Sequence, residues 1–91
     1  MEFEDVYKEL RAKASLLIYQ FDERDNIMLF TSQLSRLQRI IMSDLESNFN
    51  QEMFLKIKDT FSAIMVAIQE SDWLFLHDIV LFEVPKLELT K

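Results

Sequence analysis

The sequence predicts an all-α fold, an antiparallel four-helix up-down bundle, and two observations carry that expectation. Glycine is absent and there is one proline, Pro85, in 91 residues, where average usage would place roughly six glycines. Hairpin turns depend on glycine and Asn-Gly pairs, whereas a helix interior needs neither. Apolar residues also recur every three or four positions through four segments separated by short polar breaks, which is the period of one helix face. If the fourth segment proves short, a three-helix bundle with a short C-terminal helix is the nearest alternative.

The first helix is expected over 3–21. Phe3, Tyr7, Leu10, Ala14, Leu17 and Phe21 form one stripe, which Val6 and Ile18 widen. The polar break at 22–26 offers Asp22 and Asp25 as an N-cap pair. A second helix over 24–46 follows, with Ile27, Phe30, Leu34, Leu37, Ile41 and Leu45 on its apolar face. Thr31, Ser32 and Ser35 are mediocre helix formers, but the stripe passes through them in phase.

Asn50 caps the third helix, 50–69, with Gln51 and Glu52 in its positively polarised first turn. Its stripe reads Phe54, Ile57, Phe61, Ile64 and Ile68. The fourth helix, 72–87, takes Ser71 or Asp72 as its cap. It is apolar almost all round, a pattern that marks a central helix or one covered by a partner. Pro85 lacks a backbone donor and disfavours helical geometry at Val84, so this helix ends near Glu83 or kinks there. Breaks this short make neighbouring helices antiparallel. One domain spanning 1–91 is expected.

The formal net charge is −6, and each half of the chain carries −3. An acidic balance without a basic arm argues against nucleic acid and anionic lipid surfaces. Cysteine is absent, which fits a reducing compartment and removes disulfides and thiolate chemistry. The acidic N-terminus does not read as a signal peptide. The apolar runs, among them 27–30, 73–76 and the six residues 63–68, are far too short to span a membrane. A cytoplasmic protein is expected.

No catalytic, cofactor-binding or metal-binding residue is assigned. His77 is the only histidine, and Leu74 stands where a di-iron Glu-x-x-His motif needs glutamate. Phosphate-cradling loops and the Gly-x-Ser-x-Gly elbow need glycine. His77 reads as a partly buried helix residue with one nitrogen satisfied. Arg36 and Arg39, with Ser32, Ser35 and Gln38, could mimic a recognition helix, but a solvated face is the plainer reading. Glu83 reads as an exposed partner of Lys86, with a half-buried carboxylate capping another helix as the sharper alternative.

The excess apolar surface of helix four is the strongest functional signal. Phe75, Ile79 and Phe82 lie on one flank, and Trp73, Leu76, Val80 and Val84 on another. Leaving large aromatics exposed costs several kcal/mol, so such patches mark association surfaces. The expected partner-binding set is Trp73, Phe75, Ile79, Phe82, Glu83 and Pro85.

The stretch from Ala67 to Leu87 carries Asp72-Trp73, then Leu76, Asp78 and Ile79, then Phe82, Glu83 and Pro85. It resembles the C-terminal signature of a family of small helical proteins from Firmicutes, with one residue fewer between the glutamate and the proline. It is also distantly similar to small chaperones of flagellar export, which clamp amphipathic helices. The resemblance implies a bundle with an interaction role and carries over no catalytic residue. The expected function is a non-enzymatic protein-interaction module, a chaperone or adaptor binding a partner helix or itself through helix four. The alternatives are a regulatory protein associated with nucleic acid and a structural helical subunit of a larger complex.

Overall fold

The structure, a computed structural model, describes residues 2–19, 23–47 and 49–88. Among these there are four α-helices and no strand. They are α1 (Glu2–Tyr19), α2 (Glu23–Ser47), α3 (Gln51–Gln69) and α4 (Trp73–Phe82), followed by a short 3₁₀ turn, η1 (Val84–Leu87). The chain is a four-helix bundle in which α4 is the short member. The expected stripe residue Phe21 and cap Asp22 lie outside the described residues. The 25 residues of α2 rise about 37 Å and account for most of the 41 Å long axis. Thr31 does not break it, because its hydroxyl donates to the carbonyls of Ile27 and Met28, both at 3.0 Å.

The a/d stripes of α1 and α2 form the core. Phe3, Val6, Leu10, Ala14 and Leu17 meet Phe30, Leu34, Leu37, Ile41 and Leu45 in one buried cluster. The remainder comes from Leu76, Ile79 and Val80 of α4 and from Val84 and Leu87 of η1. Thus the Leu76–Val80–Val84 flank of the fourth helix is its core side. The helices approach closely as α1 on α2, α1 on α4, and α3 on α4, with η1 against α3 and α4. The α2–α3 edge is the loosest of the four.

Glycine's absence is resolved at the α3–α4 corner by Ser71, which holds φ at 55°. The Asp72 N–H donates to the Ala67 carbonyl at 2.8 Å, and the Ser71 N–H to the Ile68 carbonyl at 3.1 Å. This is a Schellman stop with serine in the left-handed position that glycine usually fills. Asp72 then caps α4, its Oδ1 accepting from the Phe75 N–H at 3.2 Å. Asn50 caps α3 in the same way, accepting from the Met53 N–H at 3.1 Å. At the other end of α4, Pro85 enters the first turn of η1, where a missing donor costs least.

Two side-chain bonds join α1 to α4. The Tyr7 hydroxyl donates to the Val80 carbonyl at 2.8 Å, in the last turn of α4, where helix carbonyls lack internal partners. Ser15 Oγ lies 3.2 Å from His77 Nε2. Burial pushes the Tyr7 phenol above its ordinary value of 10.0, and the nearby Arg11 guanidinium partly offsets this. Arg11 also lies over the Tyr7 ring, 5.9 Å from its centroid.

Two stability predictions follow from these contacts. Ser71→Gly relieves a left-handed L-residue and should stabilise by about 1 kcal/mol, raising the melting temperature by about 5 °C; a lower melting temperature would contradict the corner described. The raised phenol pKa favours protonated Tyr7 in the folded state. Its contribution is therefore fully present below pH 10 and lost as pH rises through the higher folded value. Urea titrations from pH 8 to 11.5 should show Tyr7→Phe less stable than the wild type below pH 10, with the gap narrowing above it.

Candidate functional site: an apolar groove between α2 and α3

α3 carries two overlapping apolar faces. Ile57, Thr60, Ile64 and Ala67 are its buried residues, and its close neighbours are α4 and η1. Thr60 and Ala67 are small, which lets helices approach closely, and the Thr60 hydroxyl is satisfied by the Lys56 carbonyl at 2.8 Å. The sequence stripe was therefore rotated by part of a turn. Ile57 and Ile64 belong to the core face, while Phe54 and Phe61 fall on the flank turned toward α2.

That flank and the facing side of α2 enclose an open groove of about 500 Å³. Leu34 and Met42 of α2 and Phe54, Ile57, Phe61, Met65 and Val66 of α3 supply its apolar lining, and the core residues Leu34 and Ile57 form its floor. Phe54 is 37% exposed and Met65 48%. Phe49, in the α2–α3 connection, packs against Phe54 with ring centroids 6.2 Å apart and extends the apolar surface at that end. Gln38, Lys58, Ser62 and Gln69 are the polar lining residues. The lining holds no carboxylate, imidazole or thiol, so it offers apolar contact and amide hydrogen bonds rather than proton transfer.

The residues singled out on helix four are not brought together into one surface. Ile79 is 4% exposed and belongs to the core, which withdraws it from any partner. Trp73 is partly buried and packs on the core. Phe75 at 46% and Phe82 at 63% are exposed, as is Leu74, so the three surrounding helices do not cover the whole of α4. Glu83 points outward to Lys86, Oε2 to Nζ at 3.5 Å, and caps no other helix by its side chain. Pro85 is partly buried in η1.

His77 is partly buried, with the Ser15 contact at one ring nitrogen. Arg36 and Arg39 border a shallow depression with Asp5, Val6 and Ile40, and Arg36 also donates to Gln33 Oε1 at 3.3 Å. Lys8 and Glu9 line the adjoining depression with Asp5 and Arg36. This surface is of mixed sign rather than a basic stripe. Among the described residues no group of three or more His, Asp or Glu side chains is arranged to hold a metal ion, and no helix is long and apolar enough to cross a membrane.

Sequence reasoning passed over Leu34, Met42, Met65 and Val66 as groove residues. The available signal was the second apolar face of α3, with Phe54, Phe61 and Met65 at helical spacing beside Ile57 and Ile64. The adjacent pair Ile64 and Met65 tests the division of labour. Ile64→Ala should cost about 2–5 kcal/mol in urea unfolding, whereas Met65→Ala should stay within about 0.5 kcal/mol of the wild type. Comparable losses at both positions would mean that the groove wall belongs to the core.

Comparison with protein-family models, with curated proteins and with solved structures returns no match for this chain.

Proposed function

We propose that this protein is a non-enzymatic interaction module that receives an amphipathic helix of another protein in the groove between α2 and α3. The observation that carries the reading is the groove itself, an apolar cleft of about 500 Å³ left open beside an otherwise closed core. Amphipathic helices seat large side chains at i, i+3, i+4 and i+7 in such clefts. Met42 and Met65 suit this use, because the unbranched thioether chain adapts to varied apolar partners.

The magnitudes favour a reversible complex. Covering the groove's apolar lining contributes about 25 cal/mol for each Å² buried. Association and side-chain ordering subtract several kcal/mol from that. A transient role, a cytoplasmic chaperone or adaptor that shields a partner's helix until it is handed on, suits such an affinity better than a permanent subunit contact.

The exposed strip of Leu74, Phe75 and Phe82 on α4 supports a second reading, self-association through that face. Sedimentation separates the two. On the groove reading, wild type and Phe82→Asp both sediment as monomers, and Met65→Glu weakens capture of an amphipathic 18-residue Leu/Phe peptide by at least about tenfold while Phe82→Asp leaves it unchanged. A concentration-dependent dimer that Phe82→Asp splits, with the peptide indifferent to Met65→Glu, would transfer the function to α4.

A further inference from the structure

We infer that the helix seated in this groove belongs to a different chain and carries a cationic side chain at each end of its apolar face. This deepens the groove reading and rests on it. Because α2 and α3 are consecutive and joined by a short connection, each end of the groove holds the C-terminus of one wall and the N-terminus of the other, whose opposite half-charges largely cancel. What remains at each end is formal side-chain charge, and a basic residue in the last turn of a wall would make it less negative. Neither α2 nor α3 has a basic residue there.

Both walls add acid instead. The last turn of α2 contains Asp44 and Glu46, and across from it the first turn of α3 contains Glu52. At the opposite end, α3 stops on Glu70, with Asp72 just beyond. Arg24 and Asp25 in the first turn of α2 offset each other in formal charge. Between the ends, the lining has a single charge, Lys58. Formal charge therefore sums to negative beside each end, with Lys56 one turn after Glu52 offsetting part of it at one end, and is positive within the lining.

The span from Phe54 to Gln69 is about 22 Å, which matches a helix of about 15 residues, or four turns. Lysine or arginine at both ends of such a helix would lie just past the lining, beside the turns that carry Asp44, Glu46 and Glu52 at one end and Glu70 at the other. A second copy of this chain is the poorer occupant. It brings its own −6, and its helices α1 to α4 likewise lack a basic residue in the last turn.

The test uses the whole protein and three 18-residue synthetic helices sharing one Leu/Phe face, with Lys, Gln or Glu at both ends. Calorimetry at 50 mM salt should find the Lys-ended peptide about tenfold tighter than the Glu-ended one, with the Gln-ended one between. At 300 mM salt the three should converge to within about threefold. The double substitution Glu46→Lys and Glu70→Lys, both at exposed positions, should remove most of the preference, bringing the Lys- and Glu-ended peptides to within about threefold at 50 mM salt. Met65→Glu should weaken all three.

Equal binding of the Lys- and Glu-ended peptides at low salt would overturn the charge inference while leaving the groove reading intact. A dimer that Met65→Glu splits, and that no peptide displaces, would make a second copy the occupant and overturn the inference. No binding by any peptide to a monomeric protein would overturn both.

Discussion

A helix in a four-helix bundle this small can bury only about one face, and the face that α3 buries decides the rest of the structure. α3 turns Ile57, Thr60, Ile64 and Ala67 inward, where its close neighbours are α4 and η1. Its larger side chains, Phe54, Phe61 and Met65, then lie on the flank toward α2. Closing the bundle there would bring bulky groups from both walls into one seam. The helices instead leave a cleft between them. The groove is thus a consequence of packing geometry, with the small Thr60 and Ala67 alternating with Ile57 and Ile64 on the core face of α3 and bulkier side chains beside them.

The frame that keeps the cleft open is the opposite side of the bundle. α1 packs along both α2 and α4 and is fastened to α4 by Tyr7 on the Val80 carbonyl and by Ser15 on His77. α4 holds α3 through the corner at Ser71 and Asp72, and η1 closes beneath them with Val84 and Leu87 buried. One wall of the groove is therefore held by α1 and the other by α4 and η1. Walls set by the core need little rearrangement to receive a ligand, and that saving in ordering is where a shallow apolar site gains affinity.

Much of this was legible in the sequence, for identifiable reasons. The stripes of α1 and α2 each have one dominant apolar face, so periodicity alone located their core residues. Asn50 and Asp72 were readable as caps because short polar side chains at helix starts have one main use. The break at Pro85 followed from its missing donor. What periodicity missed was the rotation of α3, where two faces compete and the winning one includes Thr60 and Ala67, whose small side chains offer little apolar area. Close approach to α4, a tertiary term, selected them. The all-round apolar character of α4 was visible, but the sequence did not show that Ile79 would turn inward while Phe75 and Phe82 stayed outside. The groove joins residues from two helices and has no sequence motif of its own.

The central claim is that the α2–α3 groove is where this protein meets its partner. Methionine-methyl NMR tests it most directly, because Met42 and Met65 line the groove, whereas Met28 and Met53 lie outside its lining. Titration with a Lys-ended amphipathic helix should shift the Met42 and Met65 methyl signals progressively, with much smaller changes at Met28 and Met53. Saturable binding that leaves Met42 and Met65 unmoved would contradict the account, because the ligand would then sit on another face of the bundle.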